Sequence, residues 1–423
     1  VVLGTCGQTV SLGTGATQTG FGRTGTVDWD TTPKTATFTA VSGDGFFADT
    51  TGSAFNMNLP AGSAGAIVSV ADYAGTWNSN NLTVVPNGTD KIGGTNANAT
   101  LDTQGQSVTF IFVDSTKGWI NTMDSTSNVR GLSFLTATGG TITTSGNCKI
   151  HTFTGPGNFI VCSVGSPSIN NQVSYLVVAG GGGGGGSYSG GGGGGGFREF
   201  KGPQTPYTAS PLDGSTPITV TSTTFPIAVG AAGAGGPNPG ANIGSTGSVS
   251  TFSTITSAGG GGGAGETDAG LPGGSGGGGS YPTQAAGDGN TPPTSPPQGQ
   301  PGGTGGTGTP GGHYVSGGGG GATEAGVNGN PAPTPSGRGG AGATTSISAS
   351  PTAYSGGGGA SGGNSPTTGG GASPCGTGGA GANNPGTGAV GTTNRGGGGG
   401  AGTNGSGGGN GGSGIVIIRY KFQ

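Results

Sequence analysis

Val173-Ser-Tyr-Leu-Val-Val-Ala179 runs without a break into seven glycines, Gly180 to Gly186, and after Ser187-Tyr188-Ser189 a second run of seven follows, Gly190 to Gly196. Similar tracts recur as far as Gly412, where the chain turns into Ile415-Val-Ile-Ile-Arg-Tyr420. A run of bare backbone has no side chains with which to build a core. If it is ordered, its own peptide groups must hold it. Fixing a residue costs about 1–2 kcal/mol of backbone entropy, and glycine loses the most freedom of all. A left-handed extended helix with three residues per turn leaves every N–H and C=O pointing outward, so neighbouring helices can satisfy one another. Only glycine allows approach on every side, with Cα–H···O contacts as a smaller term. A run of seven would span about 22 Å at ~3.1 Å per residue. Collagen is excluded, because the runs are pure and no Gly-X-Y period is kept.

Composition decides between order and disorder. The chain has 111 Gly in 423 residues, 28% hydrophobic and 6% charged, which alone would suggest a disordered polymer. Disordered chains usually stay solvated through high net charge, whereas this one carries only -3. The competing reading, flexible linker, does not explain why the tracts start and end on strand-like segments. Val173 to Ala179 and Ile415 to Phe422 are rich in Val, Ile and Tyr, so they are expected to pair or neighbour and to close the glycine-rich region as one module. Thr224-Phe-Pro-Ile-Ala-Val-Gly230 and Ser248-Val-Ser-Thr-Phe-Ser-Thr-Ile255 are weaker strand candidates that would cap one end of the glycine layer.

From residue 1 to about 172 short alternating runs between turn signals predict an all-β region. They are Thr35 to Val41, Gly45 to Asp49, Ala54 to Leu59, Ala66 to Ala71, Asn81 to Val85, and Gln106 to Val113 followed by a turn into Trp119-Ile120. Val108, Phe110 and Phe112 share one face of their strand and Thr109, Ile111 and Val113 the other, and both faces are expected to be buried. A smaller hairpin is predicted next, with Cys148 to Phe153 and Phe159 to Cys162 flanking Thr154-Gly-Pro-Gly-Asn158. A Cys148–Cys162 disulfide is one reading of that geometry, and two small buried thiols the other. The expected organisation is an attachment or linker segment (1–24), a β-rich fibre domain (25–130), a β-hairpin connector (131–172) and a glycine-rich tip module (173–423). Little or no α-helix is expected.

Several of these stretches together resemble a known group of proteins. Gly25-Thr-Val-Asp-Trp-Asp-Thr-Thr32, Phe47-Ala-Asp-Thr-Thr-Gly52, Asn58-Leu-Pro-Ala61, Val70-Ala-Asp-Tyr-Ala-Gly75, Asn81-Leu-Thr-Val84 and Phe112-Val-Asp-Ser-Thr-Lys-Gly-Trp119 are similar to a β-rich domain of bacteriophage tail fibres and related virion appendages. The likeness covers residues 20 to 125. Tyr175 to Tyr420 resembles the glycine-rich module that often ends such fibres, and its runs are similar in kind to the polyglycine-helix sandwich of tail-fibre adhesins in T-even-like phages. The resemblance implies a virion fibre or appendage protein, in contact with other virion proteins, whose tip meets a host surface glycan or outer-membrane protein. A homotrimer is expected as well, since a β-domain with so few large apolar residues is marginal alone. A purely architectural capsid decoration or neck fibre is one alternative. A secreted polyglycine-helix protein such as an ice-binding one is another.

Recognition on a rigid scaffold belongs to the loops. The interruptions of the glycine tracts carry the scarce aromatic and charged side chains, which makes Tyr188, Tyr207, Tyr281, His313, Tyr314, Arg338, Tyr354 and Arg395 the receptor-binding candidates. The same side chains could instead plug the ends of the sandwich. Catalytic chemistry finds no support. Asp28 and Asp30 flank Trp29 and are read as turn or solvent-facing residues, and the histidines, His151 and His313, have no evident nucleophile or metal-ligand partner. GxGxxG patterns occur trivially in polyglycine, and no run is followed by the Gly-Lys-Ser/Thr signature that holds phosphates. No enzyme, cofactor or metal site is expected. Only 12 Lys+Arg at pI 5.2 leave no basic stripe for nucleic acid, and the longest apolar stretches have strand length, so no membrane insertion is expected.

Overall fold

A computed structural model of the chain describes residues 27–125, 134–165, 168–238, 242–307, 314–330, 335–363 and 368–423. The chain divides into two compact units, Val1–Gly131 and Leu132–Gln423. The proposed attachment segment 1–24, with Cys6, lies outside the described residues, as does His313.

The first unit contains β1 (Asp28–Lys34), β2 (Phe38–Thr39), β3 (Asp44–Ala48), β4 (Phe55–Asn58), β5 (Ile67–Asp72), β6 (Leu82–Val85), β7 (Ala99–Leu101), β8 (Ser107–Asp114) and β9 (Gly118–Ser125). The chain alternates between two sheets. β1, β3 and β5 pair in parallel in one, and β2, β4 and β6 pair in parallel in the other. Each circuit therefore lays one rung on the last, as in a short β-solenoid, until antiparallel β8 and β9 extend the first sheet and β7 the second. Phe46, Val68, Val70 and Phe110 from one sheet meet Phe55, Met57, Leu82 and Val84 from the other in a core that also takes in Trp77 and Trp119. The side-chain oxygens of Asp72, at the end of β5, accept backbone N–H groups from Gly75, Thr76, Trp77 and Gly105, which ties two connections to one buried side chain. On β8 the Phe face is buried as expected, but Val113 is 49% exposed. On that outer face Thr109 is buried against Ser69 and Ile111 is half-buried, so exposure is confined to the end of the strand.

The second unit contains β10 (Thr136–Thr138), β11 (Thr141–Ser145), β12 (Cys148–Phe153), β13 (Gly157–Ser163), β14 (Gln172–Val178), β15 (Phe197–Phe200), β16 (Ile218–Thr219), β17 (Thr224–Ala228), β18 (Ser250–Phe252), β19 (Ile255–Ser257), β20 (Ala343–Thr345), β21 (Thr352–Tyr354) and β22 (Ile415–Lys421). The two apolar segments that bracket the glycine tracts do pair: β14 and β22 run antiparallel, with Val178 opposite Ile415 and Ser174 opposite Arg419. They are central strands of a sheet ordered β11-β12-β22-β14-β15. Their alternation feeds two cores. Tyr175, Val177, Val416, Ile418 and Tyr420 pack against Phe159, Ile227 and Phe252 of a second sheet, β10-β13-β17-β18-β19, whereas Leu176, Val178, Ile415 and Ile417 pack against Phe197, Ile347 and Tyr354.

The expected cysteine hairpin is corrected here. β12 pairs with β11 and β22, and β13 pairs with β10 and β17, so the Gly-Pro-Gly turn is an arch between two sheets. Phe153 and Phe159 face each other across the core instead of along a ladder. Cys148 is accordingly a buried free thiol and Cys162 an exposed one, and the disulfide is not formed. Nor do these strands make a separate connector, since β12 lies directly against the C-terminal β22.

The glycine tracts form packed polyglycine II helices, and their hydrogen bonds rotate with a period of three. Gly180, Gly183 and Gly186 donate to Ser248, Ser245 and Asn242; Gly181, Gly184 and Ser187 donate to Gly412, Gly409 and Ser406; Gly182 and Gly185 donate to Gly193 and Gly190. All three of these neighbours run antiparallel. The carbonyls of Gly180 and Gly183 accept from Gly260 and Gly263, those of Gly181 and Gly184 from Gly233 and Gly236, and those of Gly182 and Gly185 from Gly399 and Gly402. These neighbours run parallel. The 180–186 segment thus satisfies its peptide groups against surrounding segments alone, as a helix with no internal bonds must. Space is equally restrictive: a methyl on Gly182 would overlap the carbonyl of Gly261, and one on Gly193 that of Ser275. Where the layer meets the sheets, hydroxyls take over, with Ser250 Oγ accepting from Gly230 N–H and donating to the Val178 carbonyl. The Pro-rich stretch from Thr291 to Pro297 is fastened at that end too, for the Asn290 carboxamide oxygen accepts from the Thr294 and Gln298 amides and Gln298 bonds both Pro292 and Ala258.

Candidate functional site

Chain direction sorts the loops into two groups. The 180–186 segment leaves the sheet at Ala179 and 190–196 returns to it at Phe197, so the reversal Ser187-Tyr188-Ser189 lies at the far end of the layer. That reversal is tightly held. Ser187 and Tyr188 adopt left-handed backbone (φ 61 and 49), Ser189 N–H donates to Ser361 Oγ at 2.7 Å, and Ser316 Oγ donates to the Tyr188 carbonyl at 3.1 Å. The Tyr188 ring itself is half-buried there.

Two other far-end reversals bring rings to it. Tyr281 follows the outgoing segment that ends at Ser280, whose hydroxyl donates to the Asp268 carbonyl, and Tyr314 precedes the returning segment that begins at Val315. Tyr188 and Tyr314 stack with centroids 4.6 Å apart, and Tyr281 meets Tyr314 edge-on at 4.7 Å. All three are half-buried, so one side of the cluster stays open to solvent. The Tyr188 hydroxyl hydrogen-bonds the Asn384 side chain; burial first, then Tyr314 and Glu266 nearby, raise its pKa above the ordinary phenol value. It remains a neutral donor and acceptor at physiological pH. The cluster therefore offers aromatic faces edged by a phenol, an amide and a carboxylate, a chemistry suited to sugar rings.

The other candidates sit elsewhere. Tyr354 is 1% exposed, a core residue of the sheet end with Arg395 4.9 Å above its ring, so its expected role as a contact on a projecting loop is corrected. Tyr207 is flanked by Lys201 and Arg419 at 5.6 and 5.4 Å from its ring. Arg338 grips Glu324 through both terminal nitrogens at 3.0 and 2.7 Å, which lowers the Glu324 pKa and raises its own. That guanidinium is already engaged. In the first unit the sequence reading passed over a row of rings: Trp29 lies 4.9 Å from Phe47, which is 6.4 Å from Tyr73, with Trp29 43% and Tyr73 58% exposed. The signal was an aromatic on successive rungs, invisible until the rungs were known. Asp28 and Asp30 are on strand β1, and Asp30 pairs with Lys34 at 2.7 Å. Among the described residues no three His, Cys, Asp or Glu side chains gather to hold a metal ion, and no helix is long and apolar enough to cross a membrane.

A family model of a glycine-rich domain matches residues 152–421. The chain belongs to that glycine-rich domain family. The match opens on β12 and closes on β22, the adjacent antiparallel strands that frame the layer. All three tyrosines of the far-end cluster fall inside the glycine-rich domain. A comparison with curated proteins found no match.

Proposed function

We propose that this chain is a structural fibre or appendage protein of a bacteriophage particle, with its glycine-rich module as the tip that binds the host cell surface. The observation that carries the reading is the gathering of Tyr188, Tyr281 and Tyr314 at the far end of a layer held by its own peptide groups. A platform of this kind holds loops in fixed relation, and tyrosine supplies contact area at low entropic cost. The likeness of residues 20 to 125 to tail-fibre β-domains supports the virion as the location. In this reading the chain acts as a homotrimer with other virion proteins, recognises a surface glycan or outer-membrane protein, and carries out no catalysis.

The test is saturable binding of the labelled, purified chain to bacterial cells before and after their surface polysaccharide is stripped. Binding is expected on intact cells and its loss on stripped ones. The double variant Tyr281→Ala, Tyr314→Ala should weaken it by about tenfold or more, the scale of an aromatic hot spot. Failure to bind any cell would leave the architectural role. Sedimentation equilibrium tests the trimer separately.

A further inference from the structure

At the opposite end of the glycine layer, beside the sheets, lies a cavity of about 330 Å³ that the tip reading does not use. It is within the size range of small-molecule sites, roughly 300–1,000 Å³. Ile417 of β22 forms part of its apolar wall, and its lining also includes the hydroxyl-bearing Thr152, Thr154 and Ser348 together with Arg395 and Tyr354. Among the described residues no carboxylate lines it.

Arg395 is the unusual member. Its carbonyl accepts the Ser355 amide at 2.7 Å and the next residue's amide donates to Ser413, so its backbone is fixed between a strand end and a glycine segment. Its guanidinium lies 4.9 Å over the buried Tyr354 ring. The ion pairs among the described residues are Lys34–Asp30 and Arg338–Glu324, and the Arg395 guanidinium makes no hydrogen bond among those residues. A rigidly based planar fork, without an ion pair among the described residues and lining a cavity shared with hydroxyl-bearing residues, is built to receive two oxygens of one anionic group.

We infer that this cavity binds an acidic saccharide unit, with Arg395 holding its carboxylate and Thr152, Thr154 and Ser348 meeting its ring hydroxyls. A bare anion would use the guanidinium but leave the Thr152 and Thr154 hydroxyls unused, whereas Ser348 Oγ already bonds the Ser350 carbonyl and the Thr352 hydroxyl and has only its remaining capacity to offer. A neutral sugar would use the hydroxyls and leave the charge unmatched. The combination selects a ligand with both. This site is independent of the tyrosine cluster, and its test does not depend on the far-end reading.

Titration calorimetry and amide chemical shifts on the full chain would use glucuronic acid and its oligomers, glucose, glucose 6-phosphate and inorganic phosphate as probes. Glucuronate should bind at least about tenfold tighter than glucose, the scale of one charge-assisted hydrogen-bonded pair, and more tightly than inorganic phosphate. Arg395→Gln should abolish that preference, and Arg395→Lys should restore only part of it because the bidentate geometry is gone. Thr154→Glu sets a negative charge at the cavity from an exposed position, so it should block glucuronate in a chain that melts normally. Equal affinity for glucuronate and glucose, or glucuronate affinity unaltered by Thr154→Glu, overturns the inference. Phosphate binding as tightly as glucuronate would reduce the cavity to a plain anion site and overturn it as well. Glucose 6-phosphate matching glucuronate while inorganic phosphate stays weak would overturn the carboxylate assignment.

Discussion

The two units stack chain upon chain by opposite means. In the first, rungs of a β-solenoid bury Val, Leu, Phe and Trp between two sheets, and the backbone ladder follows from that burial. In the glycine layer the interior contains almost no side chain beyond Cα, and peptide hydrogen bonds to surrounding segments are the core. The comparison separates two demands that ordinary domains meet together, excluding water and satisfying the backbone. Removing the first leaves a packing in which tolerance for added atoms falls to nothing. The two interiors should therefore fail under opposite kinds of substitution.

The largest effects test that opposition directly. Trp119 is fully buried and meets Phe112 edge-on at 5.6 Å, so Trp119→Ala should cost about 3–5 kcal/mol of the first unit's stability through lost contacts and a cavity. Denaturant titration gives the number, and amide exchange should show the loss confined to residues 27–125. In the layer the damaging change is an addition. Gly193→Ala drives a methyl into the Ser275 and Gly276 carbonyls, backbone that cannot rotate away, and should cost about 3 kcal/mol. Gly371 supplies the control, because a Cβ there meets nothing within 4 Å. Gly371→Ala should be silent or slightly stabilising by reducing unfolded-state entropy. Equal behaviour of the two alanines would mean that the layer is not close-packed. Amides 180–186 should in any case exchange far more slowly than a flexible glycine linker.

Much of this architecture is legible in residues, and what is not has identifiable causes. The strands Gly45 to Asp49, Ala54 to Leu59, Ala66 to Ala71 and Asn81 to Val85 announce themselves by alternation and match β3 to β6 closely. Their alternation between two sheets does not, because β1, β3 and β5 begin at Asp28, Asp44 and Ile67, intervals too unequal to read as a repeat. Polyglycine II order follows from pure runs and low charge, yet segments such as Ala231 to Gly236 join the layer with alanines at edge positions that only neighbours define. The Cys148 and Cys162 strands show the limit of local symmetry: a turn flanked by two strands is the same string whether it closes a ladder or arches between sheets. The far-end tyrosine cluster was within reach. Each reversal of direction sends the next loop to the other end, so counting passes from Ala179 groups Tyr188 with Tyr281 and Tyr314, and Tyr354 with Arg395.

A smaller effect probes the seam where side-chain core gives way to backbone core. Ser250 Oγ bridges Gly230 N–H and the Val178 carbonyl at 2.8 Å each, inside a fully buried site. Ser250→Ala leaves both groups without a partner and should cost about 1–3 kcal/mol, the penalty of unsatisfied buried polar groups. Ser257, whose hydroxyl donates to the Val177 carbonyl at 2.7 Å, loses only one bond on truncation and should fall at the lower end. If both are silent, water takes over the hydroxyls' work and the seam is not sealed.

The smallest expected effect is a pH dependence carried by one residue of the second unit. His151 is fully buried, with Nδ1 2.7 Å from the Gly139 carbonyl and Nε2 3.2 Å from the Tyr420 hydroxyl. Burial, and then Lys149, lower its pKa, outweighing the Gly139 carbonyl that favours the charged form. The neutral ring donates through Nδ1–H and accepts from Tyr420, whose own pKa is pushed up to about 12 chiefly by burial, so the phenol keeps its proton. The unfolded histidine titrates near ~6.5. Between that value and the lower folded one the unfolded state holds more protons, so stability is complete above about pH 6.5 and declines as pH falls through the folded pKa. Glu199 acts in the opposite sense: burial raises its pKa despite bonds from Ser210 and Thr345, and its contribution is lost as pH rises through that raised value. The two are separated by His151→Gln, which keeps a polar partner for Tyr420 but cannot titrate. Its denaturation midpoint, followed from pH 7.5 down to 5, should fall less than that of the unaltered chain. Parallel curves would show that the imidazole is charged within the fold, and that the side-chain core beside the glycine layer is wetter than its burial implies.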